Sequence, residues 1–396
     1  MSGSQRAINS QRQSVPNTRR DSKRIDGVDL LRGLAIFFVL MNHVNMRLLI
    51  AGVPYTHGIP EQLISALVWN GQCGVQIFFA VSGFLITTTT LRRWGSLPRV
   101  SLRGFYLMRF ARIVPLLFLL LATLSILHYA QVKYFVVSAK TGGLGRALIA
   151  AFTFHVNVLE AHRGYLPGNW DILWSLIVEE VFYLFFPLLA AMLGRGKLLV
   201  IFLLGLIVMG PFARTVLAHG NEIWKEYSYL GGMDAIALGC LTALTLSCLR
   251  FPRRVLWMLN SVGAGLLILI LGFSIRVATW GLTRRGLDMT ILAVGTCMVI
   301  AAVTQSDWRA PRFVAPLLNL GQRSYEVYLT HMFVVFGLFQ LFLLRGKPTS
   351  GVPALFVVVI VTAGLLGDVV ARLYSEPMNR LIRKRYAPTA NTPQSL

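Results

Sequence analysis

The sequence predicts an all-α fold, a polytopic transmembrane bundle of about ten spans with both termini cytoplasmic. Three observations predict it. Of 396 residues, 55% are hydrophobic and only 14% charged, and the mean hydropathy is +0.63, which is too apolar for a water-soluble chain of this length. Uncharged apolar runs of roughly 20 residues, the length of a bilayer-crossing helix, recur along the whole chain. The basic residues, source of a net charge of +22, fall in short clusters between those runs, as the positive-inside rule requires. Such clusters meet anionic headgroups well. No soluble basic module or aromatic-basic pattern points to nucleic acid.

Residues 1–24 are polar and rich in Ser, Gln and Arg, the composition of a disordered cytoplasmic tail. No cleavable signal is expected ahead of the first apolar run. Spans are expected near 30–50, 71–91, 112–131, 172–193, 197–216, 231–249, 255–275, 286–304, 317–343 and 353–374. They form one membrane domain over 25–385, followed by a disordered tail over 386–396. A further apolar stretch, 147–159, is short and interrupted by His155 and Asn157. If it does not cross, the basic clusters at the N-terminal tail, 92–112, 195–197, 250–254, 309–312 and 372–385 all meet one face, which is then the cytoplasmic one. A re-entrant or interfacial 147–159 is therefore expected. Cys73, Cys240, Cys248 and Cys297 lie in or beside apolar runs without metal or disulfide spacing, and read as small buried hydrophobes. No metal is expected, because His155 and His162 lack a third ligand.

Polar groups inside spans need partners and tend to mark function. The first span carries Arg32 at its entrance and His43 eleven residues on, roughly 16 Å deeper along a helix. The fourth carries Glu179 and Glu180. Counted from the outer span ends, His43 and Glu179 lie at matched depth, so they are expected to form a hydrogen-bonded pair with His43 as a catalytic base. Glu179 and Tyr183 share a helix face, and Glu180 looks elsewhere. Arg109 and Arg112, three apart at the start of the third span, point the same way. With Arg32 they make a clamp suited to phosphates. Plain topology signalling is the alternative for the pair. Ser82 is a candidate donor to a thioester carbonyl, or bonds to its own helix backbone. Gly74 and Gly83 permit close backbone approach. Tyr328 and His331 are candidate cavity residues, and Asp234 a cap or an acceptor-site residue.

These residues carry a resemblance. Arg32 with His43, the run from Gly74 to Ile86 ending Ser-Gly-Phe-Leu-Ile, Arg109-Phe-Ala-Arg112, Trp174-Ser-Leu-Ile-Val-Glu179, Asp234 to Gly239, Ser324 to His331, and Ser375-Glu-Pro377 together resemble acyltransferase family 3 of integral membrane acyltransferases. The resemblance implies ten spans in a cytoplasmic (inner) membrane. It also implies transfer of an acyl group, often acetyl, from cytoplasmic acyl-CoA to a hydroxyl of a lipopolysaccharide, exopolysaccharide or peptidoglycan sugar, or of a small glycosylated molecule. It makes Arg32 and His43 essential-type residues and links Arg109 and Arg112 to donor handling. The chain looks like the type without a fused esterase-like domain. Acyl-CoA is then a co-substrate and no cofactor is bound. Either Ser82 or Tyr183 would stabilise the oxyanion, and general-base and acyl-His43 routes both remain open. The rival reading is a transporter or flippase of a lipid-linked glycan.

Overall fold

The structure, a computed structural model, describes residues 24–306 and 308–386. The two expected tails lie outside the described residues, apart from Arg24 and Tyr386. Among the described residues the chain is helical throughout its regular structure, with no strand. The helices are α1 (Asp26–Ile50), α2 (Glu61–Val68), α3 (Gly71–Trp94), α4 (Leu102–Tyr129), α5 (Gly143–Phe152), α6 (Val156–Arg163), α7 (Gly168–Asp171), α8 (Leu173–Leu193) and α9 (Leu198–Thr215). They continue as α10 (Glu222–Tyr227), α11 (Tyr229–Cys248), α12 (Arg253–Gly272), α13 (Ser274–Thr279), α14 (Leu287–Gln305), α15 (Ala315–Gln322), α16 (Ser324–Leu344), α17 (Val352–Val370) and α18 (Glu376–Tyr386).

Ten of these segments are long and apolar enough to cross a membrane. The ten expected spans are therefore present, with shifted ends. The third begins at Leu102 rather than 112, because Ser101 caps it by accepting the Gly104 N–H. Arg109 and Arg112 thus lie about two and about three turns inside it. The ninth breaks at Arg323, where α15 ends and α16 begins. Stretch 147–159 forms no crossing helix. It is divided between α5 and α6, of 10 and 8 residues, each far shorter than the ~20 residues a crossing needs.

These two helices fold back onto the span ends. Asn157 donates to the Trp174 and Tyr227 carbonyls at 3.1 and 2.6 Å. Glu160, fully buried, accepts the Leu166 N–H at 3.0 Å. Burial, then repulsion from Asp171, pushes the Glu160 carboxyl well above the usual carboxylate range. Cys73, Cys240 and Cys297 are buried as expected, whereas Cys248 is exposed at the end of α11.

The central packing depends on glycines. A Cβ on Gly83 would stand 1.9 Å from the Ile236 carbonyl oxygen, and one on Gly239 would stand 2.0 Å from that of Ala80. Only a bare Cα lets α3 and α11 touch backbone to backbone. Gly74 meets the Ala35 carbonyl of α1 in the same way. Gly239→Ala should force α3 and α11 apart and cost about 1–3 kcal/mol or more. The check is a lower thermal midpoint in detergent.

At the face where α1 begins, Arg323 bonds Asp368 and Glu376, Arg372 bonds Asp368, and Arg380 bonds Glu376. A π-helical turn at Ala371–Ser375 redirects the chain there. The network and the turn together lay α18 beside α4.

Candidate active site

A cavity of about 440 Å³ opens among α1, α3, α4, α8, α16 and α18. Five guanidiniums line it: Arg32, Arg93, Arg109, Arg112 and Arg383. Glu179 is the one carboxylate lining it among the described residues. Positive charge therefore dominates a space walled otherwise by Val75, Phe78, Leu85 and Ile86. Such a concave site, apolar with a few convergent charges, suits an anion carrying an apolar arm.

Each side chain is placed by its helix. Arg32 is held by Asp29 one turn back, at 3.3 Å. Arg109 lies over the Tyr183 ring, 4.1 Å from its centroid. Tyr183 bonds Ser82 and reaches Glu179 Oε2 at 3.2 Å. So Glu179 and Tyr183 do share a face, and Ser82 bonds a neighbouring helix rather than its own backbone. Further in, the Tyr328 hydroxyl meets Ser175 Oγ at 2.7 Å and the Ile172 carbonyl at 3.0 Å.

The imidazoles lie beyond that wall. The Tyr328 and His331 rings are 5.7 Å apart, and the His331 and His43 rings 4.9 Å apart, edge to face. His43 Nδ1 is 2.8 Å from the Val39 carbonyl oxygen, and His331 Nδ1 is 2.6 Å from that of Tyr328. A carbonyl only accepts, so each Nδ1 carries the proton and each Nε2 keeps its lone pair. Nε2 of His331 is buried and has no hydrogen-bond partner among the described residues.

Two expectations about these residues are corrected. Glu179 is not bonded to His43. The fourth span starts at Gly168, not 172, so Glu179 lies about three turns in and faces the arginine-lined cavity. The Val39 carbonyl holds the His43 tautomer instead. His331 does not line the cavity, although Tyr328 does. Asp234 lies away from the cavity, fully buried, with both carboxylate oxygens on Arg214 at 3.2 and 2.8 Å. Gln76 and Thr290 complete that cluster at 2.9 and 2.6 Å. Asp234 is thus the partner of an internal ion pair with Arg214.

Arg93, Arg383 and Ser175 were not singled out as site residues. Arg93 was legible: Ser82, Ile86, Thr90 and Arg93 follow a three-to-four spacing along one face of α3. Arg383 was not, since only the turn at Ala371–Ser375 brings α18 beneath the cavity. That placement also explains the Ser375-Glu-Pro377 motif, whose Glu376 anchors α18 to Arg323.

The model of acyltransferase family 3, described as an acyltransferase domain, matches residues 25–368. The chain belongs to acyltransferase family 3. Within that family it is a multi-pass chain, with ten helices long and apolar enough to cross a membrane among the described residues. It is 26% identical over 335 residues to the peptidoglycan O-acetyltransferase OatA of Listeria monocytogenes, covering 79% of this chain and 50% of that protein. A putative O-acetyltransferase of Staphylococcus aureus is 27% identical over 332 residues, 78% of this chain and 50% of that one. The O-acetyltransferase OatA of Staphylococcus aureus is 21% identical over 376 residues, covering 92% and 58%. The chain spans about half the length of most of these curated relatives. No solved structure matches it.

Proposed function

We propose that this acyltransferase moves an acyl group, most simply acetyl, from cytoplasmic acyl-CoA to a hydroxyl of a glycan or glycosylated acceptor at the inner membrane. The observation that carries the reading is the gathering of five guanidiniums around one cavity whose inner wall, Tyr328, touches the His331–His43 pair. By the positive-inside rule the basic face is cytoplasmic. The phosphates of the donor bind Arg32, Arg109 and Arg112 through charge-assisted bonds, with Arg93 and Arg383 adding to the field. The acyl-pantetheine arm runs inward along the apolar wall.

At the imidazoles, His43 Nε2 takes the acceptor hydroxyl's proton as that oxygen attacks the thioester carbonyl. A C–O bond forms, the C–S bond breaks, and the leaving thiolate recovers the proton from the imidazolium. The donor arm must displace the Tyr328 ring, which separates the cavity from His331 in the resting arrangement. Ser82 and Tyr183 lie on the donor path, where they orient the arm.

Arg112→Gln should raise the KM for acetyl-CoA by roughly 10- to 100-fold, the worth of one charged hydrogen bond, with a smaller change in kcat at saturating donor. Initial rates against donor concentration check this. The reading as a whole is tested by incubating purified protein with radiolabelled acetyl-CoA and envelope glycans. Label is expected in the glycan. A transporter would neither hydrolyse nor transfer it, and that outcome would overturn the assignment. Mass spectrometry of glycans from cells with and without the chain then identifies the acceptor by a lost acyl mass.

A further inference from the structure

A second concavity lies on the opposite flank of α1. It has about 980 Å³, more than twice the volume of the donor cavity, and is walled by α1, α12 and α14. Its floor is apolar, with Leu30 and Leu34 facing Val299 and Val303. Its rim, at the basic face, is Arg253 and Arg254, the first two residues of α12. Trp257 and Trp308 flank it, 74% and 41% exposed, at the level where indoles mark a membrane interface.

The rim is built. Gln305 accepts the Phe251 N–H at 2.9 Å and donates to the Leu249 carbonyl at 2.7 Å, fixing the connection that leads into Arg253. Neither Arg253 nor Arg254 forms an ion pair among the described residues. The carboxylate on this edge of α1, Asp26, is already engaged by Arg309 at 3.8 Å and the Ala310 N–H at 3.1 Å. The first turn of α12 has no side-chain cap hydrogen bond among the described residues.

We propose that this groove binds an anionic phospholipid, its phosphate and headgroup on Arg253, Arg254 and the start of α12, and its acyl chains along the α1–α14 floor. Two guanidiniums with no ion pair among the described residues supply the charge complement. Apolar walls open to the hydrocarbon favour a lipid over a free phosphate. The bound lipid would buttress the helix whose other side presents Arg32 to the donor cavity. The inference does not depend on what the enzyme acylates.

The test uses delipidated full-length protein in detergent, titrated with phosphatidylglycerol or with phosphatidylcholine of the same chains, with bound lipid read by native mass spectrometry. Phosphatidylglycerol should be retained about tenfold or more over phosphatidylcholine, on the scale of two surface arginines. The preference should vanish in R253Q/R254Q and persist in R195Q/K197Q, which removes equal charge from exposed positions on the same face. Asn260→Trp, which fills the groove without touching the arginines, should lose both lipids, and so covers the case in which R253Q/R254Q fails to fold. Equal retention of the two lipids by the wild type, an unchanged preference in R253Q/R254Q or in Asn260→Trp, or full competition by inorganic phosphate would each overturn the proposal.

Discussion

His43→Ala is expected to lower acyl transfer by about 10²–10⁴-fold, the usual worth of a positioned general base. A general base needs a free nitrogen lone pair. Val39 accepts from Nδ1 at 2.8 Å, so Nε2 is the unprotonated atom. The base is thereby oriented by its own helix, four residues back, and needs no carboxylate partner. His331 packs edge to face against one side of the ring, at 4.9 Å between centroids. The substitution removes a half-buried ring and no ion pair, so the variant should insert and unfold close to the wild type. Initial rates together with a thermal midpoint separate a lost base from a lost fold.

Asp234→Ala is expected to destabilise the protein by about 3–5 kcal/mol, the cost of leaving a buried charge without its partner. Arg214 is 7% exposed. Its remaining contacts would be the Gly286 and Gly231 carbonyls and Thr290 Oγ1, none of them charged. The cluster ties α9, α11 and α14 together, with Gln76 linking α3. Removing both charges, as in Arg214→Met with Asp234→Leu, should restore most of the loss. Whatever single-variant protein survives extraction should bind acetyl-CoA normally, since neither residue lines the donor cavity. Denaturation midpoints and donor titrations check the two halves.

Hydropathy alone located the ten helices long and apolar enough to cross a membrane among the described residues, because a bilayer demands long uncharged helices wherever a chain crosses. Spacing alone placed Arg109 with Arg112, and depth along α1 placed Arg32 beside them. Rotation about the bundle was not legible. Depth counting put Glu179 level with His43, yet a four-residue error in the start of a helix moves a side chain about 6 Å along its axis. No one-dimensional count says that α3 packs against both α1 and α8. The Asp234 ion pair was not legible for a related reason: its partner, Arg214, lies in the last turn of α9 and reads in sequence as a flanking cation. Arg383 needed the π-helical turn at Ala371–Ser375, which no hydropathy pattern encodes.

We propose a division of labour, with arginines at one depth holding the donor and an imidazole at another doing the chemistry. The most direct test measures acetyl-CoA affinity and acetyl transfer on one preparation of the His43→Ala variant. Affinity should stay within about threefold of wild type while transfer is lost. Transfer near the wild-type rate would contradict it.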